Sequence, residues 1–167
     1  MDITIRQANA NEVATALALF EEAALILREK GTAQWQHWIN PTPAYVNRVQ
    51  KGFDDNVFFF VEKSGELAGM FRLMDSDEEY WGEQTEAAVY LHSFLTRPAF
   101  KGQEIGATVI KLIEARLHEQ GIPYFRLDCI ARNEALCNYY MRQGFVPIRK
   151  KEMPHYEVQL FEKKLNQ

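Results

Sequence analysis

The sequence lacks any apolar run close to the roughly 18 residues that a helical bilayer crossing needs, so a membrane-spanning helix is not expected. Its opening residues, MDITIRQ, hold neither a basic stretch nor an apolar one, and a secretory leader is not expected either. Cysteine is scarce: Cys129 and Cys137 are the only two, and their spacing is not C-x-x-C. Without a leader, the expectation is a cytoplasmic protein with both thiols reduced. Neither cysteine has an evident base, so a cysteine nucleophile is not expected, and no metal is expected. Repeats, low-complexity tracts and internal linkers are absent, which leaves one domain over residues 1–167. The net charge of −4 argues against nucleic acid as a partner.

Positive charge is missing from one long segment. Between Leu73 and Thr96 there is no Lys or Arg, but there are Asp75, Asp77, Glu78, Glu79, Glu83 and Glu86. The rest of the chain is therefore slightly basic. Such a segment is either a solvated loop or an attractor for a cationic substrate.

What is present reads as alternating strands and helices. ITIRQA alternates as a first strand, and Asn9 with Glu12 forms a capping-box pattern ahead of a helix that stops at Gly31. The aromatic stretch GTAQWQHWIN comes next, then a short helix with Thr42 as N-cap, Pro43 at its first position and its end near Gly52. NVFFFVEK and ELAGMFRLM read as a hairpin through Ser64-Gly65. After the acidic segment come the strand AAVYLHSFLT and a helix with Ile105, Val109, Leu112, Ile113 and Leu117 on one stripe. The strand YFRLDCIA, the short helix NEALCNYYMRQ and a closing antiparallel pair, FVPIRK and HYEVQLFEKKL, complete the chain. The order β-α-α-β-β-β-α-β-α-β-β predicts an α/β (α+β) fold. Its sheet is mixed and mostly antiparallel, with helices on both faces and one parallel crossover from Ala87 to Ala131.

The loop KGQEIGA sits between that crossover's first strand and its helix. Gly102 and Gly106 permit close backbone approach, and the helix start supplies N–H groups and a positive dipole end, which together make an anion site. Arg97, Lys101 and Lys111 add charge nearby. Turn chemistry alone also accounts for the glycines. A P-loop is set aside because the Gly-Lys-Ser/Thr end of that motif is missing.

Three further pieces stand downstream in order: Asn133 after a strand, Tyr140 seven residues later, and Gly144-Phe145. With FLTRP, KGQEIG and NEALCNYYMRQGF at these spacings, the chain resembles the GNAT family of N-acetyltransferases. The resemblance implies a fold with a splayed parallel strand pair. It also implies acetyl transfer from acetyl-CoA to a primary amine of a small molecule, polyamine- or arylalkylamine-like. It maps the backbone of Phe94, Leu95 and Thr96 to the pantetheine arm. Lys101, Gly102, Gln103, Glu104, Ile105, Gly106 and Ala107 map to the pyrophosphate. Asn133 maps to a pantetheine contact, and Tyr140 to the cofactor and to the general acid for the departing thiolate. Tyr139 is the rival tyrosine; both also suit helix–sheet packing.

The general base is more open. His92 shares a strand face with Phe94 and Thr96 by period-2 alternation. LHSFLTRPAF resembles the strand on which aralkylamine N-acetyltransferases carry a basic histidine, and an imidazole titrates near neutrality. A satisfied core histidine is the competing reading. Glu86 is a second candidate, acting through water or as a cation attractor. Trp35, His37 and Trp38 lie where this family often forms its acceptor pocket, and core packing explains the tryptophans equally well. A homodimer is implied by the resemblance alone.

The loop departs from the family pattern at Lys101, for a glutamine or arginine, and at Glu104, for the middle glycine. A carboxylate in a helix's first turn is favoured by the dipole, so Glu104 is expected to have negative φ and to face solvent. The alternative is a family member that binds CoA poorly and serves as a regulatory or binding module.

Overall fold

The computed structural model describes residues 2–165. Seven strands, β1 (Ile3–Gln7), β2 (Phe58–Lys63), β3 (Glu66–Met74), β4 (Ala88–Thr96), β5 (Tyr124–Ile130), β6 (Val146–Glu152) and β7 (Glu157–Lys164), hydrogen-bond in the order β1-β2-β3-β4-β5-β7-β6. Five helices accompany them: α1 (Val13–Glu29), α2 (Pro43–Asp54), α3 (Glu78–Trp81), α4 (Ile105–Glu119) and α5 (Glu134–Arg142). The β4–β5 ladder is parallel, while the β1–β2, β2–β3, β5–β7 and β6–β7 ladders are antiparallel. This is the mixed, mostly antiparallel sheet that the element order predicts. No helix among the described residues is long and apolar enough to cross a membrane.

The chain packs as two compact units. The first runs through Arg72 and takes in Ser93–Gly106. In it α1 and α2 lie on the β2–β3 hairpin, with Leu19 and Phe20 of α1 and Val49 and Phe53 of α2 buried against Phe58, Phe60 and Met70. Burying each such side chain contributes roughly 1.5–3 kcal/mol. α2 ends at Asp54, near Gly52 as expected, and position 52 stays glycine because a Cβ there would come within 2.5 Å of the Phe58 ring. The Asn9–Glu12 box forms by half. Glu12 reaches back to the Asn9 N–H (2.7 Å), but α1 starts only at Val13, and the Asn9 side chain does not cap it. Glu12 is held instead by Arg6 at 2.8 Å.

The second unit comprises Leu73–His92 and the chain from Ala107 onward. Trp81, Ala88, Tyr90, Val158 and Leu160 form one of its cores. On α4, Val109, Ile110, Ile113 and Leu117 are buried, whereas Leu112 is exposed. The predicted stripe is thus turned slightly, with Ile110 replacing Leu112. The charged side chain of Arg126 is buried, at 3 % exposure. It donates to Glu162 and to the Tyr90 hydroxyl, each at 2.8 Å, and lies over the Trp81 ring. The acidic segment, read from sequence as a loop, contains α3, with Asp77 capping it by accepting from the Tyr80 N–H at 3.2 Å.

Candidate active site

The parallel ladder is short. Ala88, Val89, Tyr90 and Leu91 of β4 pair with Tyr124, Phe125, Arg126 and Leu127 of β5, and the register ends there. Asp128, Cys129 and Ile130 continue to pair with β7. On β4 the residue two beyond Leu91 is Ser93, whose φ of 51° is left-handed. A left-handed non-glycine inside a strand is the signature of a bulge, which bends the strand and redirects the residues beyond it. The Ser93 hydroxyl is fixed by the Arg72 guanidinium at 3.0 Å.

Beyond the bulge the backbone has two sides. The Arg97 N–H donates to the Ala68 carbonyl at 2.8 Å, and a Cβ on Gly69 would run into the Leu95 carbonyl. Leu95 therefore turns its peptide groups towards β3, and by strand alternation Phe94 and Thr96 turn theirs the opposite way. Leu95 is thus a packing residue, against the α1–α2 core. Of the three positions expected to meet the pantetheine arm, only Phe94 and Thr96 present backbone on the outer side of β4.

The loop after β4 is a series of turns. The N–H groups of Phe100, Lys101 and Gln103 go to the carbonyls of Arg97, Pro98 and Phe100. The N–H groups at Ile105, Gly106 and Ala107 sit in the first turn of α4, where no helical carbonyl is in reach. The expectation of an anion cradle from Lys101 to Ala107 thereby narrows to the helix start. The backbone N–H groups of Lys101 and Gln103 are already used. The Gln103 side chain accepts from the Lys63 ammonium. Gly102 has a φ of 77°. Glu104 is exposed as expected, but its φ is 54°, not negative. It occupies the left-handed conformation that suits a glycine, and the dipole argument missed this because turn geometry, not charge, sets the backbone there.

His92 ends the β4 run of the second unit and is 13 % exposed at its side chain. Its Nε2 lies 2.9 Å from an Asp77 carboxylate oxygen, and its Nδ1 3.8 Å from an Asp128 oxygen. The Tyr80 ring stands 6.0 Å away, and its hydroxyl shares a 2.7 Å hydrogen bond with that of Tyr156. Burial, and then the Tyr156 bond and the nearby Asp128 charge, push the Tyr80 phenol up. His92, Asp77 and Asp128 bring ligand-type atoms within 4.8 Å of one another. The two ring nitrogens face different carboxylates, however, and one ion takes only one of them, so the arrangement suits a single metal ion poorly. Sequence reading found His92 and, within the acidic run, Asp77, but not their pairing, and it missed Asp128. The pairing was hidden because the two lie 15 positions apart, and Asp128 because it sits in an ordinary strand.

Glu86 is half-exposed, 3.7 Å from Arg126, and does not join the His92 cluster. It lines an adjacent pocket of about 100 Å³ with Asp75, Asp77, Glu78 and Glu83. Trp35 and Trp38 pack on Phe20, edge-on at 5.7 Å and stacked at 4.1 Å. His37 stacks on Tyr45 at 4.4 Å. The packing role of the tryptophans is thus visible.

On α5, Asn133 is the N-cap and accepts from the Leu136 N–H at 3.1 Å. Tyr140 is 7 % exposed, with its ring 6.0 Å from those of Phe145 and Phe161. Burial raises its phenol well above the ordinary range, so it stays protonated in neutral and mildly alkaline solution. Tyr139 stands beside it, with the ring centres 5.4 Å apart.

The profile described as the acetyltransferase (GNAT) family matches residues 26–145. An uncharacterized N-acetyltransferase of Bacillus subtilis, YesJ, is 32% identical over 126 residues, which cover 71% of this chain and 68% of that protein. The crystal structure of a GNAT-family acetyltransferase from Listeria monocytogenes superposes with a TM-score of 0.81. It is 27% identical and is matched over 98% of this chain and 95% of its own. A GNAT-family acetyltransferase from Streptococcus agalactiae gives the same TM-score at 20% identity, over 99% and 96% of the two chains. The bulged strand at the end of a short parallel ladder, the glycine-bearing turn before α4 and this profile match lead to one conclusion: the chain is an acyltransferase belonging to the acetyltransferase (GNAT) family.

Proposed function

We infer that the protein transfers the acetyl group of acetyl-CoA to a primary amine of a small, cationic molecule. The observation that carries this reading is His92, hydrogen-bonded to Asp77 and 3.8 Å from Asp128 where the β4–β5 ladder ends. An amine reaches an enzyme at neutral pH mostly as an ammonium, and it must lose a proton before it can attack a thioester. The two carboxylates attract the ammonium, and the imidazole beside them takes the proton. The carboxylate-lined pocket beside Asp77 supports a second positive charge on the acceptor.

Acetyl-CoA supplies the activated acyl group. In this reading Phe94 and Thr96 pair with the pantetheine arm through their backbone. The first-turn N–H groups of α4 receive the pyrophosphate, and Asn133 meets the pantetheine. Tyr140, kept neutral by burial, donates to the sulfur as the carbon–sulfur bond breaks. Trp35 and Trp38 belong to the acceptor side only through the outer edges of their half-buried rings. The chain is read as one catalytic domain working in the cytoplasm, as a homodimer by family resemblance.

The test is release of free CoA thiol across a panel of amines. Di- and polyamines should outperform neutral or acidic amino acids, and the reverse order overturns the cationic-acceptor reading. The second reading, a module with poor CoA affinity, is favoured by one observation, the exposed carboxylate at left-handed Glu104. Calorimetric titration decides between them, because absence of saturable acetyl-CoA binding at millimolar concentration selects the module.

A further inference from the structure

The two cysteines, eight positions apart in sequence, meet in the fold. Cys129 lies on β5 and Cys137 on α5, and their sulfurs are 3.5 Å apart. Both are free thiols; Cys129 is buried and Cys137 half-buried. Beyond its partner sulfur, the Cys137 thiol faces the carbonyls of Ile130 and Ala131, at 3.9 and 3.8 Å. Nothing in acetyl transfer as described above uses either sulfur. We propose that Cys129 and Cys137 form a reversible dithiol–disulfide modification site, oxidised by peroxide.

The asymmetry of the pair sets the order of events. Cys137 is the less buried of the two residues. Burial, and then the hydrogen bond with Cys137, push the Cys129 thiol up, so it stays protonated and unreactive towards outside oxidants. The Cys137 sulfur attacks one peroxide oxygen. The O–O bond breaks, a sulfenic acid forms, and the other oxygen leaves as water. The Cys129 sulfur then attacks the Cys137 sulfur. The S–S bond forms, the S–O bond breaks, and the hydroxyl leaves with the Cys129 proton as a second water. The sulfurs need to approach by about 1.5 Å to bond. The bridge ties the start of α5 to β5 and encloses Asn133 in a short ring, which restrains the unfolded chain and raises thermal stability. Disulfides of this kind in a reducing compartment are transient and redox-sensing.

The experiment uses the full chain, reduced, desalted and exposed to graded hydrogen peroxide. Remaining thiols are then alkylated and the protein is digested for mass spectrometry. The expected product is a Cys129–Cys137 cross-linked peptide pair lacking two hydrogens, which dithiothreitol returns to two alkylatable thiols. The oxidised protein should melt several degrees higher than the reduced one. In C129S, dimedone should trap a sulfenic acid at Cys137, while in C137S the buried Cys129 should resist peroxide. The wild-type mapping stands even if a variant folds poorly. Three results overturn the proposal: thiols that remain alkylatable at peroxide levels that consume glutathione, over-oxidation of Cys137 without a cross-link, or disulfides that join separate chains only.

Discussion

Single backbone angles decide much about this molecule. Glu104, at a φ of 54°, holds a conformation that costs an ordinary L-residue roughly 1 kcal/mol or more relative to glycine. Glu104→Gly should therefore raise stability by about 1 kcal/mol in urea denaturation, whereas Glu104→Ala should give no such gain. If the carboxylate also opposes the pyrophosphate, the glycine variant binds acetyl-CoA more tightly by calorimetry. Gly69 carries the converse constraint. A Cβ there meets the Leu95 carbonyl, so Gly69→Ala should destabilise by about 1–3 kcal/mol and disturb the end of β4. Tyr140→Phe keeps the packed ring and loses only the hydroxyl. Its kcat should fall by about tenfold or more, with little change in melting temperature. Because burial raises the Tyr140 phenol, wild-type kcat should show no alkaline fall where an ordinary tyrosine titrates, near pH 10.

At the scale of elements, α3 does more than its four residues suggest. One oxygen of Asp77 caps the helix and the other holds His92. Asp77→Ala should lose about 1 kcal/mol through the cap, and it should also reshape the pH profile of kcat/KM, which a purely structural loss would leave unchanged. Asp128→Asn, which keeps the shape and removes the charge, should shift that profile without affecting α3. The sequence made the strands, α1, α4 and α5 legible because of their periodicity and because the helix ends carry Gly31, Gly121, Pro123 and Gly144. The loop and the Asn133–Tyr140 spacing were legible through the family resemblance; the local backbone accounts only for Asn133 as N-cap and for the left-handed Gly102 and Gly144. The sequence could not reveal α3, whose single turn of Glu78, Glu79, Tyr80 and Trp81 has no period to read. The bulge was equally hidden, since serine has no particular preference for a left-handed φ. The partners of His92 come from distant segments that only the folded sheet brings together.

For the whole molecule, charge distribution matters more than net charge. Carboxylates crowd the segment from Asp75 to Glu86, so the KM for a dicationic amine should rise with ionic strength more steeply than that for a monocation. His37 adds a pH dependence of its own. Burial, and then the nearby Arg48, hold the His37 imidazole below its usual value. The folded state thus binds that proton less readily than the unfolded chain. The stability His37 contributes is present above its unfolded value, about pH 6.5, and is lost as pH falls towards its folded one. His37→Gln should flatten the decline in melting temperature through that window.

Arg126 gives the acidic surface a property that dissolved salt cannot. Mobile cations normally quiet a crowd of carboxylates, and they leave when the solution is diluted. Arg126 is a counter-ion built into the strand, sealed under Trp81 and tied to Glu162, with Glu86 3.7 Å away. It is indifferent to dilution. The protein should therefore tolerate low ionic strength that would loosen an acidic face of similar density, while Arg126→Met should melt lower in dilute buffer and recover part of that loss when salt is added.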